Sequence, residues 1–197
     1  MDCLRNGLVM EPLTLEEIKT HLRLDVAGTV NDNLEDAQIM AMAKAARGAA
    51  ESYTSLTILN QEKTLRYAAF PAKSLSLKTW PVSEVMSISF TDVNGNTQQF
   101  TDFILDNEAK PARVYPINDW PNTKDTPNAV QIEIKAGFTD GESPNPFPIP
   151  DEIKQAILLL VGHFYANREA VNVGNLVTKY PLSYQYLIDP HRIEMGM

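Results

Sequence analysis

The hydrophobic periodicity of this 197-residue chain changes twice, and that change constrains the fold more than any other feature. Apolar residues recur at helical spacing to about residue 54, alternate with polar residues from about 57 to 137, and return to helical spacing from about 151. Side chains repeat about every 3.6 residues along a helix and about every two along a strand, so neither pattern suits the other structure. The sequence therefore predicts an α+β fold. Its N- and C-terminal helices (1–55 and 151–197) pack as a small helical domain, and an antiparallel β region (56–150) is inserted between them.

The two N-terminal helices are predicted from caps and stripes. Thr14 and Glu17 have the spacing of a capping box, which favours a short helix over about 14–24. A longer helix over about 33–53 carries an alanine-rich stripe that includes Ala43, Ala46 and Ala50. Small side chains let another helix approach closely, so this stripe packs in the subunit core, which is favoured, or against a neighbouring subunit.

Two further helices are predicted near the C-terminus. The first, over about 151–169, is apolar on a wide stripe that Leu158 and Leu159 extend around the helix. Such a helix requires cover on more than one side. The second, over about 181–189, ends where Pro190 prevents continuation.

Short antiparallel strands are predicted in the middle of the chain because runs there alternate with period two. They cover residues 63–70, 74–80, 85–92, 97–105, 112–115 and 130–136. Asn94 and Gly95 predict a hairpin turn, because both residues tolerate positive φ.

The residues provide no recognisable catalytic or metal site. The net charge is −8 and no basic cluster is present, which disfavours binding to nucleic acid phosphates. His21, His163 and His191 lie in different elements, without metal-ligand spacing. The carboxylate pair Asp102 and Asp106 is of a kind that any acidic protein offers by chance. We therefore predict no catalytic residue, no cofactor and no metal ligand.

The single cysteine, Cys3, excludes an internal disulfide, and no apolar run approaches the roughly 18 residues that a membrane span needs. The N-terminus also lacks the basic start and apolar run of a signal peptide. We expect a protein that is made and used in a cytosol and does not enter a membrane.

Several segments resemble the head-tail connector family of tailed bacteriophages. The motif Ala136-Gly137-Phe138 followed by residues 149–169 is the most specific of them. Residues 13–24 are similar to the family's opening helix, and residues 187–192 are similar to its closing motif. The segment around Trp80-Pro81-Val82 resembles the longer branch of the family, which inserts a β region between the helices.

The resemblance implies a structural virion protein of a phage or prophage, located in the neck. Such subunits form a homo-oligomeric ring, expected to be twelve-fold, that docks beneath the portal protein. Head-closure or tail proteins bind the far side, and DNA passes through without specific binding. Tyr165, Arg168 and Glu169 match family positions that lock the long helix by packing and ion pairing, within or between subunits. The shortest family members are nearly all helical, so the role of the β region stays open.

Two sets of site residues follow from this interpretation. The predicted inter-subunit residues are Ala43, Ala46, Ala50, Leu158, Tyr165, Arg168 and Glu169. The predicted portal-binding residues are Tyr184, Leu187, Ile188 and Arg192, and the alternative is that the aromatic residues here close the subunit core.

Three other functions stay open at this stage. A head-closure or tail-completion protein of the same neck is a near neighbour that the sequence separates poorly. A small hydrolase would need a pocket that joins two acids and a histidine, and a DNA-binding module would need a basic stripe.

Overall fold

Four α-helices and seven β-strands make up the described part of the chain in this computed structural model, which covers residues 11–24, 32–139, 147–167 and 182–193. The helices are α1 (Leu15–Leu22), α2 (Asp32–Thr54), α3 (Asp151–Ala166) and α4 (Leu182–Ile188), and a 3-10 turn (Asp189–His191) follows α4. The strands are β1 (Gln61–Tyr67), β2 (Leu75–Ser76), β3 (Val82–Thr91), β4 (Thr97–Gln99), β5 (Phe103–Asp106), β6 (Arg113–Pro116) and β7 (Val130–Ala136).

The predicted fold class is confirmed, since helices occupy both ends of the sequence and antiparallel strands lie between them. Within the described ranges, no helix is long and apolar enough to cross a membrane. The chain divides into two compact units. The helical unit joins Glu11–Thr54 to Ile149–Arg192, and the β unit includes Ser55–Pro148.

Helix α1 begins at the capping box that the sequence predicts. Thr14 Oγ1 accepts a hydrogen bond from the Glu17 N–H at 3.2 Å, and Glu17 Oε2 accepts one from the Thr14 N–H at 2.7 Å. These bonds satisfy N–H groups that the first turn of a helix leaves without partners. The helix ends at Leu22, after which Arg23 adopts a left-handed conformation with φ of 57°.

Helix α2 packs against α3, and its alanine-rich stripe is buried. An ion-pair network also ties α2 to the segment before α1. Arg47 Nε donates to Glu11 Oε2 at 2.9 Å, and Arg47 Nη1 donates to Glu51 Oε2 at 2.8 Å. The three side chains are only 15–20% exposed, so the guanidinium and both carboxylates depend on one another for charge compensation.

The β unit contains two antiparallel sheets. Four strands pair in the order β1-β7-β3-β4, and three pair in the order β2-β6-β5. Strand β7 lies between β1 and β3, and alternate residues along it are buried. The buried core of the unit consists of Leu75, Leu77, Val82, Ile88, Phe90, Ala112, Val114, Val130, Ile132, Ile134 and Ala136.

Two predicted strands differ from the observed ones. The strand predicted over 97–105 is two strands, because the chain leaves β3 after Phe100 and pairs next with β6. The Phe100 ring marks the break, since it packs against the Phe70 and Trp120 rings at centroid distances of 5.8 and 5.1 Å. The strand predicted over 74–80 is only Leu75–Ser76, because Lys78 turns the backbone into the left-handed region with φ of 52°.

Two glycines have positive φ angles, which other residues adopt rarely. Gly95 has φ of +90° in the turn between β3 and β4, which confirms the predicted hairpin. Gly137 has φ of +123°, and a Cβ atom there would overlap the carbonyl of Leu59. The Gly137 N–H donates to the Pro81 carbonyl at 3.0 Å, so the chain after β7 runs directly against neighbouring backbone.

Candidate functional site

The predicted inter-subunit stripe of α2 is covered within the chain itself. Ala43 is 4% exposed, and Ala46 and Ala50 are fully buried. Of the two alternatives that the sequence leaves open, the structure therefore shows the subunit core. A neighbouring copy that contacts α2 has to use other side chains of the helix.

Tyr165 acts within one copy of the chain. Its hydroxyl donates to Glu35 Oε1 at 2.8 Å, which joins α3 to α2 across 130 positions of sequence. Leu158, from the same predicted set, is half-buried on α3. Arg168 and Glu169 lie outside the described residues. The inter-subunit role of the set as a whole stays a prediction.

The predicted portal-binding residues lie on different faces of α4 and the turn after it. Tyr184 and Ile188 are fully buried, and the Tyr184 ring lies 6.4 Å from the Tyr53 ring of α2. Leu187 is half-buried, whereas Arg192 is exposed. Tyr184 and Ile188 therefore close the core of the helical unit, and of the four residues Arg192 is the one whose side chain is exposed to solvent.

Arg192 belongs to a small cluster at the end of α2. Its guanidinium lies 5.3 Å from the centre of the Tyr53 ring, within the range of a cation–π contact. The Tyr53 hydroxyl donates to Asp189 Oδ1 at 2.6 Å. This hydrogen bond to the carboxylate raises the pKa of Tyr53 because it favours the protonated phenol. The cluster holds Arg192 in a defined place beside α4.

Helix α4 also has an exposed apolar face. Leu182 is 79% exposed and Tyr186 is 83% exposed, more than any other large hydrophobic side chain in the described residues. The two are four positions apart and lie on the same side of the helix, roughly opposite Tyr184 and Ile188. The sequence shows apolar residues on both sides of α4, but only packing decides which side turns inward.

An open groove runs along α1 beside α3. It has a volume of about 480 Å³ and is lined by Thr14, Glu16, Glu17, Thr20, His21 and Leu158. The carboxylates of Glu16 and Glu17 are exposed, while Leu158 and His21 are half-buried. Leu158 is the one apolar residue of this lining, and the Glu17 carboxylate already accepts hydrogen bonds from the N–H and the hydroxyl of Thr14.

The β unit has an exposed apolar face of its own. Ile104 of β5 pairs in register with Tyr115 of β6, and Ile117 follows two residues later. These side chains are 59%, 37% and 59% exposed, respectively. Residues paired in register or two apart point to the same side of a sheet, so the three form one patch on the three-stranded sheet.

The residues considered for catalysis do not converge in the described part of the chain. Asp106 Oδ1 accepts a hydrogen bond from the Ala109 N–H at 3.1 Å, and Asp102 is exposed. His163 is half-buried, and its ring lies 6.3 Å from that of Phe164. Within the described ranges, no group of three or more His, Cys, Asp and Glu side chains is placed to hold a metal ion.

Comparison with known proteins shows similarity to one protein family and to several solved structures. Residues 124–192 match the family model of phage gp6-like head-tail connector proteins. The fold is similar to a chain in the neck of an empty gene transfer agent (GTA) particle computed with C6 symmetry. That match has a TM-score of 0.77 and 23% identity, and it covers 98% of this chain and 96% of the other.

Two further structures show the same similarity with equal coverage. A chain in the virion of a native gene transfer agent particle has a TM-score of 0.74 at 23% identity. A chain in the neck of a native GTA particle computed with C12 symmetry has a TM-score of 0.72 at 21% identity. No curated protein sequence matches the chain.

The family match confirms the resemblance that the sequence suggests for the C-terminal part of the chain. It includes the segments 136–138, 149–169 and 187–192, whereas residues 13–24 lie outside it. The structural similarity spans nearly the whole chain, including the β unit, and at these identities it establishes the fold.

Proposed function

We propose that this chain, whose residues 124–192 match the phage gp6-like head-tail connector family, is a structural subunit of the neck of a tailed phage or phage-like particle. The observation that carries the proposal is the similarity of its fold, over 98% of its length, to chains in the necks of gene transfer agent particles. The family match supports it independently, because that match rests on sequence.

In this function, copies of the chain form a ring beneath the portal protein. Twelve copies fit the proposal, because a ring of twelve satisfies both the C6 and the C12 symmetry in which the necks of the similar chains were computed. Head-closure or tail proteins bind the far side of the ring. Identical subunits that meet through two different patches close into such rings when the rotation between neighbours is an integral fraction of a turn.

The charge of the chain fits a passage for DNA better than a DNA-binding surface. The net charge of −8 opposes tight contact with phosphates, which clustered Lys and Arg would otherwise neutralise. A duplex that moves through a ring of this charge is repelled from its wall and is not retained. The function requires no catalytic residue, since a connector works by holding protein surfaces together.

Electron microscopy of the protein mixed with the portal of its own particle tests the proposal. We expect additional ring-shaped density at the DNA exit of the portal, with a subunit number that matches the symmetry of the neck. The portal imaged alone is the control. Absence of added density, together with no co-sedimentation of the two proteins, would contradict the connector function.

The same mixture separates a connector from a head-closure or tail-completion protein. A connector binds the bare portal, whereas a head-closure protein binds only after another neck protein is in place. A mobility-shift experiment with duplex DNA at low salt addresses the third possibility, and we expect no shift.

A further inference from the structure

The turn between β3 and β4 contains a sequence with chemistry of its own. Asn94 is exposed and is followed by Gly95, which has φ of +90°. A backbone nitrogen that follows asparagine can attack the side-chain carbonyl carbon of that asparagine, and glycine hinders the attack least because it has no side chain. Asn94 is therefore a candidate site for spontaneous deamidation.

The reaction forms one C–N bond and breaks another. The Gly95 nitrogen loses its proton and bonds to Cγ of Asn94, the side-chain amide leaves as ammonia, and the product is a cyclic imide, a succinimide. Water then opens the ring at either carbonyl carbon. One opening gives aspartate at position 94. The other gives isoaspartate, in which the main chain runs through the side-chain carbonyl and is longer by a single carbon.

The hydrogen bonds of the turn oppose this reaction. The Gly95 N–H donates to the Asp92 carbonyl at 2.9 Å, so its proton is held and points to Asp92. The N–H groups on either side of it, those of Asn94 and Asn96, donate to Asp92 Oδ1 at 2.8 and 2.9 Å. Asp92 thus accepts hydrogen bonds from three successive N–H groups of the turn.

The charge state of Asp92 suits it to this role. Hydrogen bonds from Asn96 and from the Asn94 N–H lower the pKa of Asp92, because they favour the ionised carboxylate. The carboxylate is therefore ionised at neutral and alkaline pH. In the same pH range succinimide formation is favoured, because the attacking nitrogen must lose its proton.

We propose that Asn94 is a deamidation site whose rate Asp92 controls. Attack requires the peptide group between Asn94 and Gly95 to rotate until its nitrogen faces Cγ of Asn94. That rotation breaks the hydrogen bond from Gly95 and displaces the N–H groups beside it, so the turn must open before the new bond forms. Among the described strands β4 pairs only with β3, and a longer main chain in the turn would disturb that pairing.

The rate of deamidation in the full-length protein tests the protection. Mass spectrometry of tryptic peptides, after incubation in a mildly alkaline buffer, measures the conversion of Asn94. The chain contains a second such pair, Asn6-Gly7, and with the chain unfolded in guanidinium chloride both asparagines should react at similar rates. In the folded protein, Asn94 should react at least about ten-fold more slowly than in the unfolded chain, because the turn must open first. Equal rates for Asn94 in the two states would overturn the proposal.

Variants of Asp92 test the role of its carboxylate. Asp92→Ala removes both hydrogen bonds to Oδ1 and should raise the rate in the folded protein about three- to ten-fold. Asp92→Asn retains an acceptor oxygen without the charge, and its rate should lie closer to that of the unchanged protein. Asp119→Ala, which removes an exposed carboxylate elsewhere in the β unit, is the matched control and should leave the rate unchanged.

An Asp92→Ala protein that is folded and deamidates at the original rate would exclude control by Asp92. Circular dichroism verifies the folding of each variant. The comparison of folded with unfolded chain needs no substitution, so it decides whether the fold protects Asn94 even where a variant does not fold.

Discussion

The helical unit and the β unit achieve their stability by different means. The helical unit joins residues far apart in sequence, as in the hydrogen bonds from Tyr53 to Asp189 and from Tyr165 to Glu35, which span 136 and 130 positions. The β unit is built mostly from one continuous segment, and aliphatic side chains and Phe90 fill its core. The core of the β unit can therefore form from one continuous segment, whereas the helical unit requires two separate segments, Glu11–Thr54 and Ile149–Arg192.

The two units also differ in what they leave exposed. The most exposed large apolar side chains of the helical unit are Leu182 and Tyr186, which lie on one short helix. Those of the β unit include Ile104 and Tyr115, which pair in register on a three-stranded sheet. Each unit therefore exposes an apolar surface of its own.

The largest expected effect concerns the two sides of α4. Tyr184→Ala should lower the free energy of unfolding by about 4 kcal/mol, because a fully buried aromatic side chain leaves a cavity. Tyr186→Ala, on the exposed side, should change it by less than about 0.5 kcal/mol. Chemical denaturation of both variants measures the difference. Equal losses would mean that Tyr186 is also buried in the free subunit.

The corresponding change in the β unit is Ile132→Ala on β7. Ile132 is fully buried between its pairing partners Leu65 of β1 and Ile88 of β3, so we expect a loss of about 3 kcal/mol. Hydrogen exchange should show the loss of protection first in β1, β3 and β7. An equal loss at the same time in α2 and α3 would show that the two units unfold as one, contrary to the comparison above.

Arg47 tests the charged network of the helical unit. Arg47→Met should cost about 2 kcal/mol, because it leaves the half-buried carboxylates of Glu11 and Glu51 without their shared partner. Lys44→Met, also on α2 but exposed, is the matched control and should cost less than about 0.5 kcal/mol. Thermal or chemical unfolding measures the free energy of unfolding of both variants. An Arg47 variant as stable as the control would show that this network does not stabilise the protein.

The smallest expected effect is a pH dependence in the β unit. Burial raises the pKa of Tyr67 from 10.0 to about 12, and its hydroxyl donates to the Ser76 carbonyl at 2.7 Å. The folded state therefore retains a proton that the unfolded state releases, so this stability is complete below pH 10 and is lost as the pH rises from 10 to about 12. Since the side chain is only partly buried, solvent screening reduces the effect to about 1 kcal/mol.

Tyr67→Phe removes this titration and should flatten the alkaline part of the stability curve. A comparison at pH 8 serves as the control, because there the two proteins differ only through the lost hydrogen bond to Ser76. Parallel curves for both proteins between pH 10 and 12 would show that Tyr67 does not titrate as its burial requires.

The sequence predicted helices and turns well where they depend on interactions between neighbouring residues. The capping box of Thr14 and Glu17 starts α1, and Gly95 forms the turn between β3 and β4. The strand over 97–105 was wrong because Phe100 ends one pairing by packing against rings from distant positions, which no local pattern reveals. The motif Ala136-Gly137-Phe138 requires a glycine because, in the fold, the backbone at Leu59 leaves no room for a side chain. The sequence alone does not reveal this requirement.

The candidate site was less predictable than the fold. The sequence correctly placed apolar residues on α2, α3 and α4, but it could not separate buried from exposed ones on a helix that is apolar on two sides. Tyr184 and Tyr186 look equivalent in the sequence, yet one is fully buried and the other is 83% exposed. The groove was also not predicted, because its residues come from α1 and from α3, which lie far apart in sequence.

The order of helices and strands and the α+β class follow from the sequence alone, because helix and strand periods and helix caps depend on neighbouring residues. The tertiary structure alone decided which face of each helix is covered, where the long predicted strand divides, and that an open groove lies along α1 beside α3. Those features depend on contacts between residues distant in sequence, and the free energy of such contacts is set by packing that no local pattern contains.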